Sequence, residues 1–331
     1  MARIACVDDP PGASRPSLLG VLPTFHRSSE LDHTLGRIAE QNRIPDRLVV
    51  VDNGDEPETE EVVRRHGTGL PGIEYARSPE NLGYAGGVRL GMERLLPEAR
   101  DDDWVVVFDD DDPPISRTRV ADLERFALRM RAEDPRTAAV GGHGGRFDWR
   151  RGRIRRVQDT ELRGPVPLDY VGGNSIPFFL VRAIRAVGPF SREIFFGLSE
   201  VEFCLRLVRA GWHVYADGDL WRASRSLTGR MGQSGRPSMR LPDADWRRYY
   251  SLRNAVHILR GHGRDGTALR VILVQGLAKP LANMPIAPRR AVRHLALNWR
   301  AGRDGWSGRM GRTLEPHPWG RRSKKSVLPG R

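Results

Sequence analysis

Four consecutive aspartates, Asp109 to Asp112, follow the apolar run Trp104-Val-Val-Val-Phe108. Carboxylates this close raise one another's pKa unless a cation neutralises them, so a bound divalent metal is the economical way to keep the run ionised. In extended backbone alternate side chains share a side, which predicts that Asp109 and Asp111 reach one hard cation while Asp110 faces elsewhere. A solvated acidic loop is the competing expectation, and the position at the end of a buried strand favours function. A second acidic group, Ser199-Glu-Val-Glu202, precedes the amphipathic stretch holding Phe203, Leu205, Leu207 and Val208. It reads as a capping box with Ser199 as cap and Glu202 in a structural role. Glu200 then sits in the first helical turn, kept ionised by the helix dipole and free to act as a general base.

Asn81-Leu-Gly-Tyr-Ala-Gly-Gly87 is glycine-rich and opens a helix, so its amides can approach a phosphate or a sugar. Its glycine spacing is not the dinucleotide fingerprint, and a plain turn with a helix start is the more frequent explanation of such a segment.

The elements that must position these groups alternate from about Ser17 to Ala216. Strands are expected at Leu18 to Phe25, Leu48 to Val51, Trp104 to Phe108 and Thr137 to Val140. Helices are expected at Leu31 to Gln41, Glu56 to His66, Gly87 to Leu96 and Thr118 to Glu133, from apolar residues three and four apart. The pattern is that of an α/β fold with a largely parallel sheet covered by helices. Two strands are continuously apolar, as central strands buried on both faces are. Both end in polar residues, Asp52-Asn53-Gly54 and the aspartate run, at the edge where open parallel sheets bind ligands. Arg146 to Val157 alternates as a basic hairpin, Ser224 to Pro242 reads as a mobile loop, and Trp246 to Leu259 returns to helix. Ala268 to Ala282 is an apolar helix interrupted at Pro280.

The 331 residues are 39% hydrophobic, enough for a substantial core. Cys6 and Cys204 are the only cysteines, which excludes a disulfide framework and an all-cysteine metal site. No secretory leader and no run of bilayer length is apparent, so a cytoplasmic protein is expected. The net charge of +13 is concentrated in Ile286 to Arg331, which holds twelve Arg and Lys against two acids. A nucleic-acid binder is disfavoured, because an ordered set of acidic motifs repels phosphates.

The ordered motifs Leu22-Pro-Thr-Phe-His-Arg27, Val49-Val-Val-Asp-Asn-Gly54, Asn81-Leu-Gly83 with Ala85-Gly-Gly87, Phe108-Asp-Asp-Asp-Asp112 and Phe195 to Arg206 resemble family 2 inverting glycosyltransferases of the GT-A fold. The rhamnosyltransferase and galactofuranosyltransferase branch is the nearest likeness. It covers about Leu18 to Leu259 and includes Trp246-Arg-Arg-Tyr-Tyr-Ser-Leu-Arg-Asn254. The resemblance implies a Rossmann-like GT-A sheet with a helical carboxyl-terminal extension. The implied domains are an amino-terminal extension over 1–16, a catalytic domain over 17–260 and a basic amphipathic region over 261–331. It implies an inverting hexosyl- or deoxyhexosyltransferase that uses a nucleoside-diphosphate sugar and a glycan or lipid-linked glycan acceptor of the cell envelope.

Residue by residue, the resemblance implies that Thr24 and Arg27 line the nucleotide pocket, Asp52 contacts the base, and Asn81 and Gly83 lie near the ribose and diphosphate. Asp109 and Asp111 match the metal-binding pair for Mn2+ or Mg2+, with Asp110 close to the donor sugar or ribose. Gly172, Gly173 and Asn174 border the donor sugar and acceptor, and Glu200 is the base. Where the family usually carries a histidine metal ligand, Arg222 stands here. Arginine does not ligate metals but pairs with a diphosphate, a role shared with loop arginines such as Arg225 and Arg230. His213 reads as a structural histidine.

A nucleotidyltransferase is a second possibility from similar topology, although Pro23-Thr-Phe-His-Arg27 lacks a phosphate-cradling signature. A non-catalytic basic binder of membrane or nucleic acid is a third. The carboxyl-terminal stretch, with Val271-Ile-Leu-Val274, Arg270, Lys279 and Trp299, Trp306 and Trp319, suits an anionic membrane surface better than a span.

Overall fold

The computed structural model describes residues 15–172, 175–232 and 245–315. Contacts divide it into two compact units, residues 1–148 with 153–236, and residues 149–152 with 237–331. The second unit starts well before residue 261, so Trp246 to Asn254, which the sequence groups with the catalytic domain, belongs with the carboxyl-terminal helices.

In the first unit the alternating pattern folds as β1 (Leu18–Thr24), α1 (Ser28–Ala39), β2 (Arg47–Asp52), α2 (Pro57–Arg65), β3 (Ile73–Arg77), α3 (Gly83–Leu95), β4 (Trp104–Val107), α4 (Arg119–Glu133) and β5 (Thr137–Gly141). There follow β6 (Gly144–Asp148), β7 (Arg153–Arg155), β8 (Pro165–Leu168), β9 (Tyr170–Val171), β10 (Phe178–Leu180), α5 (Val181–Val187), α6 (Ser199–Arg209), β11 (His213–Asp217) and α7 (Gly218–Leu227). The main sheet has the order β3-β2-β1-β4-β10-β5-β11-β8, and β7-β6-β9 forms a small second sheet. β1 pairs in parallel with β2 and β4, and β10 runs antiparallel between β4 and β5. Every residue of β1 and β4 is buried, as continuously apolar central strands require.

The glycines of the third helix explain how closely it lies on the sheet. A Cβ on Gly91 would stand 2.5 Å from Val21 Cγ1, and one on Gly87 would stand 2.5 Å from Asn53 Nδ2. Their absent side chains admit β1 and the end of β2 to the helix surface. Gly83 takes φ of 71°, a conformation that costs an L side chain, and turns the chain into the helix. The glycine-rich segment is therefore built first for packing and turning.

Three expectations are corrected here. Ser224 to Leu227 is not loop but the end of α7, and residues 233–244 lie outside the described residues. Ser199 does not cap α6: the cap is Leu198 in a left-handed conformation with no side-chain hydrogen bond, and Ser199 is the first helical residue. Glu202 instead ion-pairs with Arg206, one turn on, at 2.6 Å.

The second unit holds α8 (Asp245–Gly261), α9 (Asp265–Val271), a π-helical stretch at Ile272–Ala278, α10 (Lys279–Ala282) and α11 (Pro288–Ser307). Pro280 lacks the N–H that would bond the Gly276 carbonyl in an α-helix, and Asn298 Nδ2 donates to that carbonyl at 2.9 Å. The expected interruption is thus spread over the turn before the proline. Buried Asp304 accepts from Tyr249 Oη at 2.6 Å, which ties α8 to α11. No described helix is long and apolar enough to cross a membrane.

Candidate active site

The acidic run starts where β4 stops, and the chain turns at Asp110 and Asp111. Asp110 points back to the first strand. Its Oδ2 accepts from Thr24 Oγ1 at 2.8 Å and its Oδ1 from Arg27 at 2.9 Å, while Thr34 Oγ1 donates to its carbonyl at 2.8 Å. Burial pushes this carboxyl up, and Arg27 and Thr24 pull it down. Thr24 and Arg27, expected along the nucleotide pocket, therefore spend their polar groups on the turn. Arg27 also lies 3.0 Å from Asp111. The turn breaks simple alternation, so Asp111 shares a cation with Asp110 and does not merely mirror Asp109.

Asp109 has a different environment. Burial first, then Glu200 and the neighbouring acids, push its carboxyl up to about 8. Tyr84 lies beside Asp109 and Glu200, and burial with those two acids raises the phenol well above its ordinary pKa. The phenol therefore keeps its proton between two acidic side chains. Tyr84 was missed as a site residue in the sequence, although it is the one polar side chain between Gly83 and Gly87.

Glu200 occupies the first turn of α6, as expected. Gly172 makes room for it: a Cβ there would stand 2.5 Å from Glu200 Cβ and 2.6 Å from its Cγ. Gly172 is thus brought to the base, while Gly173 and Asn174 lie outside the described residues. Asn81 Oδ1 accepts from the Gly83 amide at 2.8 Å, and Asn53 Nδ2 donates to the Gly83 carbonyl at 3.2 Å. These bonds fix the backbone that presents Tyr84.

Asp52 is fully buried and accepts four hydrogen bonds, from the amides of Gly54, Asp55 and Glu56 and from Tyr75 Oη. Its carboxylate is spent on the loop after β2, so its part in a nucleotide site is to shape that loop. Arg222 lies on α7, donates to the Asp159 carbonyl at 3.2 Å, and has a buried Nε without a partner. The structure ties it to the turn at Asp159–Glu161, not to the acidic run. Arg225 is not a loop arginine either: it is buried, ion-paired with Asp159 and stacked 4.7 Å over Trp221. His213 pairs with Asp134 at 2.6 Å, in keeping with a structural role.

A divalent cation suits this chemistry. Asp109 faces Glu200 and three further acids with no cation paired to it among the described residues, a charge imbalance that a metal would relieve. Among the described residues no three acidic, histidine or cysteine side chains are gathered as a complete cage. Asp109 and Asp111 would supply two oxygens, with the remaining ligands from phosphate and water, as is usual for Mg2+.

A family model described as Glycosyl transferase family 2 matches residues 21–183. The chain is 31% identical over 279 residues to galactofuranosyltransferase GlfT1 of Mycobacterium tuberculosis, covering 78% of this chain and 86% of that protein. It is 29% identical over 265 residues to GlfT1 of Mycolicibacterium smegmatis, covering 73% and 83%. Among solved structures it resembles a mannosyltransferase of Pyrobaculum calidifontis in complex with GDP-Man and Mn2+, with TM-score 0.50 and 17% identity over 88% of this chain and 87% of that one. That last likeness concerns the fold alone, and agrees with the mostly parallel GT-A sheet. With nearly the whole length of a curated relative matched around an acidic site at the strand ends, the chain belongs to glycosyltransferase family 2.

Proposed function

We propose that the protein transfers a hexosyl residue, galactofuranose in the first instance, from a nucleoside-diphosphate sugar to a hydroxyl of a glycan or lipid-linked glycan, with inversion. The sugar rests on the galactofuranosyltransferase relatives. The observation that carries the mechanism is Glu200 in the first turn of α6 against Gly172, with Asp109 and the Tyr84 phenol close enough to share its electrostatic environment. Glu200 takes the proton of the acceptor hydroxyl as that oxygen attacks the anomeric carbon. The bond from this carbon to the diphosphate breaks on the opposite face, so the configuration inverts. Asp109 and Asp111 would hold a divalent cation, which would supply positive charge for the departing diphosphate. The protonated Tyr84 phenol beside Glu200 offers one donor to orient it, and Gly172 leaves the space in which that side chain lies. Glu200→Gln should keep the fold and donor binding but lose at least ~100-fold in kcat. Nuclear magnetic resonance of the product should show the inverted anomer. A retained anomer, or an active Glu200→Gln enzyme, would sink this mechanism.

The second unit supports an encounter with an anionic membrane. Leu269, Leu273, Val274, Leu281, Ile286, Val292 and Trp299 are all exposed, alongside the basic residues of α11. Removing residues 261–331 would strip α11 from α8, so point variants are the cleaner test. Co-sedimentation of the full chain with vesicles should rise with anionic lipid, fall with salt, and weaken in Ile286→Ser with Trp299→Ser. Absence of binding at low salt would remove the membrane from the account.

A further inference from the structure

Arg119 opens α4 at the edge where the parallel strands end, and it is only 4% exposed. A guanidinium carries five N–H donors, and buried ones ordinarily meet carboxylates or carbonyls. This one makes no hydrogen bond or ion pair with any described residue, and the acids that it feels, Asp217, Asp122 and Asp112, act without direct contact. Asp217 is committed to the Asp219 and Leu220 amides, and Asp122 to Arg125. Gly142, just past β5, makes room for the group, since a Cβ there would collide with Arg119 Nη2.

Three guanidiniums act on the neighbouring imidazole. Burial first, then Arg119, Arg230 and Arg225, hold His143 down to about 4, so the ring is neutral among cations. Arg225 is balanced by Asp159, but Arg230 is exposed and forms no ion pair among the described residues. Ser175 Oγ, fully buried beside Gly141, has no partner among the described residues either. A desolvated guanidinium such as that of Arg119 is stable only when a counter-charge reaches it. The sheet order puts β5 and β11 on the opposite side of β4 from β1 and β2, hence away from Thr24, Arg27 and Asp52.

We propose that Arg119, Arg230, His143 and Ser175 form a phosphate subsite that receives a diphosphate group. Guanidinium forks match tetrahedral phosphate oxygens, and a neutral imidazole and a hydroxyl each add a donor without adding charge. The diphosphate has two sources: the leaving group of the donor, or a diphosphate carried by the acceptor. The naming of those sources rests on the transfer reading above, whereas the anion itself rests on Arg119 and its neighbours.

The test is calorimetric titration of inorganic pyrophosphate into the full chain with chelator present, so that no cation at Asp109 and Asp111 carries the ligand. Binding should weaken at least ~10-fold in Arg119→Gln and in Arg230→Gln, and with added salt. Arg230 is exposed and unpaired, so its variant should melt with the wild type and remains informative if Arg119→Gln does not fold. Repeating the titration on protein saturated with a nucleoside diphosphate separates the sources: exclusion of pyrophosphate assigns the donor, and undiminished binding assigns the acceptor. Glu200→Gln should bind pyrophosphate as the wild type does, so failure of the transfer mechanism and failure of the subsite read separately. Equal affinity in wild type, Arg119→Gln and Arg230→Gln, or no binding to the wild type, overturns the proposal.

Discussion

The two faces of the acidic run differ in what neutralises them. Toward β1, Asp110 is met by a hydroxyl, a guanidinium and a second threonine on its carbonyl. Toward α6, Asp109 is met by another carboxylate and a phenol that keeps its proton. Adjacent residues of one type thus do opposite work: the balanced acid fixes a turn, and the unbalanced acid is pushed toward its protonated form by burial and its acidic neighbours. Glu202, two residues beyond Glu200, is paired with Arg206 one helical turn on.

The sharpest way to break this comparison is to neutralise each face in turn. Asp109→Asn should lose at least ~100-fold in transfer, yet gain stability in chelator, because it removes a charge that the metal-free fold holds unfavourably. The sign follows from linkage. A carboxyl raised from 3.8 to about 8 binds more protons folded than unfolded, so its contribution falls as pH rises through that interval, and the variant should lack this decline. Denaturation curves at several pH values with chelator check it; a variant less stable than wild type above pH 8 would overturn the assignment.

On the balanced face, Arg27→Ala leaves Asp110 buried with only Thr24 on its carboxylate. Urea denaturation should show a loss of about 2 kcal/mol, the usual scale for stranding a buried polar group. Unchanged stability would mean that the turn does not depend on this pair. Tyr84→Phe removes the hydroxyl that lies beside Glu200 and Asp109 and should lower kcat by up to ~10-fold with little change in melting temperature. A variant with wild-type kcat would reduce the tyrosine to packing. The smallest effect is expected from Glu202→Gln, which loosens a partly exposed pair one helical turn apart and should cost about 0.5 kcal/mol with transfer intact. A large loss of activity there would exchange the roles of the two glutamates.

How legible these roles were in the sequence depended on how local their causes are. The strands β1, β2, β4 and β5 and the helices between them could be read because burial on both faces selects continuous apolar runs, and amphipathic packing selects a helical period. β10, three residues long and antiparallel in the middle of the sheet, carries no such pattern, since its place is decided by pairing with β4 and β5. The supposed capping box failed because Leu198 takes a left-handed turn that brings Ser199 into the helix. The supposed loop at Ser224 to Leu227 failed because Asp217 caps α7 and Arg225 finds Asp159.

By itself the sequence determined the α/β architecture, the acidic run at a strand end, and the placement of Glu200 in the first turn of α6. Periodicity, burial and the helix dipole act over a few residues and leave their mark in a single segment. Only the tertiary structure decided which acids are balanced, that Tyr84 lies beside Glu200 and Asp109, and that Arg119 stands without an acceptor among the described residues. Those outcomes depend on side chains distant in the chain meeting at one sheet edge, as Thr24 meets Asp110, 86 positions on, and desolvation there sets their charge in a way no local pattern encodes.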